Sequence, residues 1–441
     1  MRQWMVAAKK ADFYVIAEKF HVDPVVARII RNREVIGEKN IRIYLGGNLS
    51  DLSDPHQMKD MDRLVEILAQ KIRKQVHIRI IGDYDVDGVT SSHLFLTALR
   101  RVGAKVDVVI PHRIQDGYGL SLHLLQQAKE DGVDTILTCD NGIAAIDEIA
   151  WAKAQKMTVL VTDHHAVPFE EHEGRRTEKK SLADAVVNPH QQDCGYPYKE
   201  LCGAGVAWNV IRVLYENYDM DKREAEDLLD FVAMATVCDV MSLTGENRIL
   251  VKEGLKRIRH TKNIGLQALM QACNVQPENI SAYHFGYVLG PCVNATGRLD
   301  TARNALRLFE TGQETEAEEI ARDLVDLNQE RKELTLQGVE MAKKICEEGG
   351  YENDPVLVLF LPDVHESIAG LIAGRIREMY NRPVFVLTRG EEGVKGSGRS
   401  TENYSMYENM CGCAELFTKF GGHPMAAGLS LPEENVEKFR R

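Results

Sequence analysis

Nowhere in this chain do about 18 apolar residues run together, the length a membrane-spanning helix needs, so no membrane association is expected. The start, Met1-Arg-Gln-Trp-Met-Val-Ala-Ala-Lys-Lys10, has no long apolar stretch and does not read as a secretory leader. Metal- and redox-type cysteine pairs are missing: Cys411-Gly-Cys413 has one intervening residue where such pairs have two. The nine cysteines are odd in number, scattered and mostly inside apolar runs. Reduced thiols and a cytoplasmic location are therefore the expectation. A basic surplus is absent too, because 54 Lys and Arg face 66 Asp and Glu, a net charge of −12. Proteins that grip nucleic acid are usually basic, so affinity for a polyanion should be modest and salt-sensitive. Two basic clusters, Lys252/Lys256/Arg257/Arg259/Lys262 and Arg375/Arg377/Arg382/Arg389, read equally well as solvated helix faces. No internal repeat is visible, and 441 residues suffice for two or three domains with cores of their own.

What the chain does have is Ile81-Gly-Asp-Tyr-Asp-Val-Asp-Gly-Val-Thr90. Three carboxylates, Asp83, Asp85 and Asp87, stand on alternate residues between an apolar run and a glycine. Like charges so spaced repel unless a cation neutralises them, and hard divalent cations take carboxylate oxygens as ligands. An acidic helix cap is the plainer alternative.

Further ligands follow other apolar runs. Val133-Asp-Thr-Ile-Leu-Thr-Cys139 ends in Asp140-Asn-Gly142, and Met157-Thr-Val-Leu-Val-Thr162 ends in Asp163-His-His165. Phe231-Val-Ala-Met-Ala-Thr-Val-Cys238 ends in Asp239. Each run reads as a buried parallel strand or a core helix. In an open α/β sheet the carboxyl ends of parallel strands converge on one crevice, so residues distant in sequence would meet there. Asp85, Asp87, Asp140, His164, His165 and Asp239, with Asp83 as ligand or as a base orienting one, are more donors than a single ion needs. Two divalent ions about 3.5–4 Å apart fit better, an arrangement used in phosphoester cleavage. Mixed carboxylate and imidazole ligation favours Mn²⁺, with Mg²⁺ possible and Zn²⁺ less suited.

Asp-Tyr-Asp-Val-Asp-Gly, Asp-Asn-Gly and Asp-His-His, in this order, resemble the DHH phosphoesterase superfamily. Within it the chain is similar to the RecJ family of single-stranded-DNA-specific exonucleases, from roughly residue 45 onward. The likeness includes Cys202-Gly-Ala-Gly205, Gly245-Glu-Asn-Arg248, Gly290-Pro-Cys-Val-Asn-Ala-Thr-Gly-Arg-Leu299, Gly396-Ser-Gly-Arg-Ser400 and Gly421-Gly-His-Pro-Met-Ala-Ala-Gly428. It implies metal-dependent 5′→3′ digestion of single-stranded DNA to mononucleotides, in repair and recombination. An ion-activated water would attack phosphorus, and His165 is an alternative acid to the leaving oxygen. A cleft between two lobes would exclude duplex. Other superfamily enzymes, an oligoribonuclease or a phosphoadenosine phosphatase, are the alternative, and a scaffold that has lost its ligands is a remoter one. Protein partners are not legible.

The implied fold class is α/β, with a doubly wound parallel-sheet DHH domain and a smaller α/β DHH-associated domain joined by a long helix. The expected segments are 1–45 helical, 46–245 the DHH domain, 246–348 a helical insert with the connecting helix, and 349–441 the substrate-binding domain. Within these, Val22–Ile30 reads as a short helix behind an Asp cap, 170–180 as an exposed charged loop, and Gln313–Glu348 as the long helix. Pro355–Leu361 and Val384–Leu387 read as strands around a helix at Ile368–Tyr380. In the second lobe the Gly396–Ser400 stretch reads as a turn. Its Ser397, Arg399 and Ser400, with Gly422 and His423, would grip a phosphate, so a 5′-phosphorylated end should be preferred. Asn294 and Arg298 resemble further substrate contacts. Two departures from the family stand out. Cys292 occupies a position where relatives usually carry Arg, and Arg441 falls short of the oligonucleotide-binding β-barrel (OB-fold) that normally follows. Catalysis should survive the second, with weaker hold on long strands.

Overall fold

The computed structural model describes residues 9–172, 175–390 and 393–441. These divide into two compact units, Met1–Gly297 with Thr301–Leu324, and Arg298–Asp300 with Val325–Arg441.

Among the described residues, the first unit holds seven strands. Five of them, β1 (Ile78–Ile81), β2 (Val106–Val109), β3 (Thr135–Cys139), β4 (Thr158–Thr162) and β7 (Ala185–Val187), make an all-parallel sheet, while β5 (Phe169–His172) and β6 (Arg175–Glu178) form a separate ribbon. The parallel sheet has the order β2-β1-β3-β4-β7. Continuous burial of β1 and β3 explains why they read as unbroken apolar runs, since helices cover both faces. The order reverses at β1: the chain steps outward to β2, then crosses back to β3 on the other side. Ligands collect at such a switch point, outside the carboxyl ends of the strands.

Helix Val86–Arg101 follows β1, and Gly203–Asn217, Leu229–Cys238 and Gly245–Arg257 follow β7. Ahead of the sheet, helix Pro24–Asn32 starts behind Asp23, whose side chain accepts the Val25 N–H. Residues 1–8, the start of the expected helical lead-in, lie outside the described residues. The Gly245-Glu-Asn-Arg248 motif ties early and late segments together. Buried Glu246 accepts from Tyr196 Oη (2.5 Å) and the Ser53 N–H (3.1 Å), and Arg248 donates to the Tyr44 carbonyl while stacking on its ring at 3.8 Å.

Two expectations need correction in this unit. Asp239 arrives at the C-terminus of a helix, Leu229–Cys238, and not at a strand end. The run before it is buried all round and shows no period, which is why helix and strand were not separable. The charged segment 170–180 is no loop: it falls largely in the antiparallel ribbon of β5 with β6, and residues 173–174 lie outside the described residues. Its signal is charge pairing instead of apolar alternation: Glu171 stands opposite Arg176 (3.6 Å), and Arg176 also covers the Phe169 ring.

Strands β8 (Leu357–Phe360), β9 (Val384–Gly390), β10 (Gly393–Arg399), β11 (Lys419–His423) and β12 (Ala426–Leu431) make the mixed sheet of the second unit, in the order β11-β12-β10-β9-β8. Among the described residues, β8 and β9 pair in parallel and the other pairs are antiparallel. Period-two alternation separates its two cores. Val384 and Val386 pack with Ile372 and Ile376 of helix Ala369–Tyr380, whereas Phe385 and Leu387 pack with Met406, Leu429 and Val436. The long helix spans Glu314–Gly349, with the division between units falling inside it.

Gly396–Ser400 is not a turn. Residues Gly396 to Arg399 lie within β10, and the glycines make room for large neighbours. A Cβ on Gly398 would meet Met406 Sδ at 2.5 Å and Phe385 at 2.7 Å, and one on Gly396 would run into Leu387 and Leu429. Small residues facing large ones across a sheet carry the same composition as a turn.

Candidate active site

The carboxyl ends of β1, β3 and β4 present the acidic and imidazole groups to one place. After β1, Asp85 caps helix Val86–Arg101 by accepting the Gly88 N–H at 3.0 Å, and Asp87 follows in its first turn. The cap and the ligand readings of this segment are thus compatible. Asp87 is buried, and its two oxygens accept the N–H groups of Gly203 (2.6 Å) and Ala204 (2.8 Å), the first turn of helix Gly203–Asn217. Two backbone donors and the positive end of a helix hold this carboxylate in place. That explains Cys202-Gly-Ala-Gly205, which sequence reasoning noticed without assigning it a task. Gly203 has no room for a side chain: a Cβ would lie 2.7 Å from Asp140 Cβ.

Asp140 follows β3 with a positive φ of 61°, a strained backbone for a non-glycine residue. After β4 come Asp163, His164 and His165. Asp163 is an orienting group that sequence reasoning left out of the site. Its carboxylate accepts from Ile143 N (2.9 Å), His164 N (2.7 Å), His165 N (3.0 Å) and His165 Nδ1 (2.8 Å). With Nδ1 committed there, His165 keeps Nε2 for other work. Tyr118, also missed, places its hydroxyl 3.1 Å from His165 Nε2 and donates to the Asp140 carbonyl at 3.1 Å. Its loop carries no periodic signal that would have marked it.

Three overlapping groups each bring their ligand atoms within 4.8 Å of one another: Asp140/His164/His165, Asp87/His164/Asp239 and Asp83/Asp85/Asp140. His164 Nε2 lies 3.0 Å from Asp140 Oδ1, yet neither atom has an aligned hydrogen-bond partner, and Asp83 Oδ1 has none either. Alignment decides here over distance, and buried polar atoms left without a bond call for a partner of another kind, such as an ion.

The electrostatics agree. Burial, then the Asp85 charge, pushes Asp83 up to about 8. Burial, then the Asp87 and Asp85 charges, does the same to Asp239, and burial with the same neighbours raises Asp140 far above the carboxylate range. Asp85 is raised by burial and by Asp87. Burial holds His164 below the usual imidazole value. For His165 burial works downward, but the Asp163 hydrogen bond and charge prevail and lift it to about 9. Acids crowded enough to hold protons near neutrality are a site short of positive charge. The oxygen and imidazole donor set fits a hard or borderline divalent cation.

The remaining sequence-predicted residues fall in two places. Asn294 Oδ1 accepts the Val86 N–H at 3.2 Å and so abuts the β1 loop. Arg298 donates to the Ser367 carbonyl at 2.7 Å. In the second unit Arg399 and Ser397 share a face of β10, Nη1 to Oγ 3.2 Å, beside Gly370 in the first turn of helix Ala369–Tyr380. Strand register brings His423 opposite Ala426, which is itself opposite Arg399, and aligns Gly422, Ala427 and Gly398 in the next row. Ser400 points inward instead; it is buried, and its hydroxyl donates to the Tyr404 carbonyl at 2.6 Å. Cys292 is buried with its Sγ 3.8 Å from that of Cys273, so it offers no cationic contact in place of the family's Arg.

Part of the two basic clusters is taken up locally. Arg257 pairs with Glu226 (2.6 Å) and Glu253 (3.3 Å), Lys256 with Glu253 (2.6 Å), and Arg389 with Glu433 (3.0 Å).

Residues 77–236 match the DHH family, N-terminal domain, and residues 353–441 match the DHHA1 domain. The chain is 36% identical over 435 residues to the single-stranded-DNA-specific exonuclease RecJ of Haemophilus influenzae, covering 95% of this chain and 73% of that protein. The chain belongs to the RecJ family. The Bacillus subtilis RecJ is 34% identical over 427 residues, covering 96% of this chain and 52% of that one. The crystal structure of RecJ in complex with Mn²⁺ from Thermus thermophilus matches with a TM-score of 0.81 at 29% identity, over 97% of this chain and 59% of that one. The chain thus spans between about half and three-quarters of the length of these RecJ relatives. Among the described residues no helix is long and apolar enough to cross a membrane.

Proposed function

We propose that this chain is a metal-dependent exonuclease that hydrolyses single-stranded DNA from its 5′ end to mononucleotides, as part of DNA repair and recombination. One observation carries the reading: Asp83 Oδ1, Asp140 Oδ1 and His164 Nε2 are buried and unbonded at the switch point of a parallel sheet, in a chain of the RecJ family. Asp85, Asp87, Asp140, Asp239, His164 and His165 would hold two divalent cations, with Mn²⁺ preferred and Mg²⁺ accepted. Such cations supply Lewis-acid polarisation of phosphoryl oxygens and acidify a water.

The rest is the work of the chain's own groups. The Gly203 and Ala204 amides fix Asp87, and Asp163 fixes the ring plane of His165. As the alternative to holding a cation, His165, whose proton is retained near neutrality by Asp163, is chemically suited to pass one from Nε2 to a leaving oxygen. In the second unit Arg399 and Ser397, beside a helix N-terminus, suit a terminal phosphate, and His423 two strands away would assist. A cytoplasmic location accords with nine cysteines, odd in number and scattered along the chain. The test compares turnover of a 5′-labelled single-stranded 20-mer, its duplex and dinucleotides, with and without Mn²⁺. Mn²⁺-dependent release of mononucleotides from the 20-mer is expected. Preference for dinucleotides would assign the chain to the oligoribonuclease branch of the superfamily, and no turnover at all would refute the reading.

A further inference from the structure

On the surface of the first unit, Tyr283 and Tyr287 are 62% and 73% exposed. Their rings lie stacked, centroids 5.2 Å apart and planes 24° from parallel. Each covers one face of the other, and Tyr283 also meets the His284 ring edge to face, centroids 5.7 Å apart. The backbone beneath them is unusual: Phe285–Leu289 forms one turn of π-helix between Ala282–His284 and helix Gly290–Leu299. Such turns are rare and concentrate at functional sites.

This helical run is braced against the metal-site loops at both ends. Phe285 and Leu289 are fully buried, and the Phe285 carbonyl accepts from Cys238 Sγ at 3.3 Å, immediately before Asp239. Seven residues beyond Tyr287, Asn294 accepts the Val86 N–H between Asp85 and Asp87. Seven helical residues span about 10 Å, two or three stacked bases at about 3.4 Å each. The Ser281 N–H donates to His284 Nδ1 (3.1 Å), which fixes where the run begins.

We propose that Tyr283 and Tyr287 form a stacking platform for unpaired nucleobases of the strand entering the metal site. The proposal rests on the exonuclease reading and deepens it. A net charge of −12, with Arg257, Lys256 and Arg389 of the basic clusters already in local ion pairs, leaves modest electrostatic attraction for a polyanion, so another source of affinity is called for. Aromatic faces supply it without regard to sequence, because every base has a π-face. They also discriminate, because bases in a duplex are already stacked on each other and offer no free face. The platform therefore contributes selectivity for single strands as well as grip.

The experiment measures binding of a labelled 20-mer with phosphorothioate linkages, which resist cleavage, and of an abasic strand of equal length, by fluorescence anisotropy with Mn²⁺ present. The wild type should bind the base-bearing strand at least about tenfold more tightly than the abasic one, and the Tyr283→Ala/Tyr287→Ala variant should lose that preference. Tyr283→Phe/Tyr287→Phe should retain it. Tyr287→Leu, which keeps apolar bulk without a π-face, should weaken it and serves if the alanine pair fails to fold. A double-alanine variant that keeps the wild-type preference overturns the platform, as does a wild type indifferent to bases. A wild type that binds neither strand overturns the exonuclease reading with it.

Discussion

Replacing Gly203 with alanine adds one methyl group and removes no ligand, yet it should impair the metal site. A Cβ there lies 2.7 Å from Asp140 Cβ, 2.9 Å from Asp140 Oδ1 and 3.0 Å from Asp140 Cα. Carbon atoms rest about 3.5–4.0 Å apart, so helix and loop must separate by roughly 0.8 Å or more. Productive metal geometry tolerates only about 0.2 Å. The same shift pulls on the 2.6 Å hydrogen bond from Gly203 N to Asp87, so two candidate ligands move together. Losing the support of a ligand typically weakens metal binding about 10–100-fold, and overpacking costs about 1–3 kcal/mol of stability. Calorimetric titration with Mn²⁺ reads the first, and thermal unfolding in EDTA reads the second. Gly205→Ala, two residues along the same helix, is the control. Its Cβ meets Leu201 at an ordinary 3.4 Å and touches no ligand, so metal binding should be unchanged. If Gly203→Ala binds Mn²⁺ as tightly as the wild type, Asp140 is not a ligand or the contact is not tight, and the reasoning fails.

Two other outcomes follow from the charge distribution and from the second unit. Asp83 and Asp239 hold protons up to about pH 8 in the metal-free fold, whereas unfolded they release them near their ordinary value. Folded pKa values raised in this way contribute stability that is complete below about pH 4 and lost as the pH rises through about 8. Melting in EDTA should therefore show these two groups weakening the fold between those limits, Asp239→Asn should flatten the slope, and Mn²⁺ should restore stability most at the alkaline end; an Asp239→Asn slope equal to that of the wild type would count against the crowding. Arg399→Ala should raise KM for 5′-phosphorylated strands about tenfold or more and matter far less for 5′-hydroxyl strands, a charge-assisted contact being worth roughly 1.5–3 kcal/mol; equal losses on both would place the terminal phosphate elsewhere.

The candidate cluster of acids and imidazoles was legible because its parts sit where a parallel sheet delivers them. Asp140 and the Asp163–His165 triplet each follow a run whose apolar continuity marks a strand buried on both faces. Asp239 was found for a partly mistaken reason, since a core helix with no polar side looks like a buried strand in sequence. Asp163, Tyr118 and the Gly203 amide bond to the candidate ligands across loops distant in sequence, and no local pattern announces such bonds. The glycines of β10 misled for a different reason: they answer to Met406 and Phe385, partners absent from their own neighbourhood in the chain. Ser400, chosen for its hydroxyl beside Arg399, faces inward because alternate residues of an extended chain point opposite ways.

The central claim is that the acid and imidazole groups at the switch point of the first sheet hold two divalent cations. Equilibrium Mn²⁺ binding, with bound metal counted per chain, tests it most directly in the wild type and in Asp140→Ala. That carboxylate belongs to two of the three overlapping ligand groups. Two Mn²⁺ per wild-type chain, and loss of binding together with hydrolysis in a variant whose circular dichroism is unchanged, is the predicted result. No Mn²⁺ on the wild type, or undiminished binding in Asp140→Ala, would contradict it.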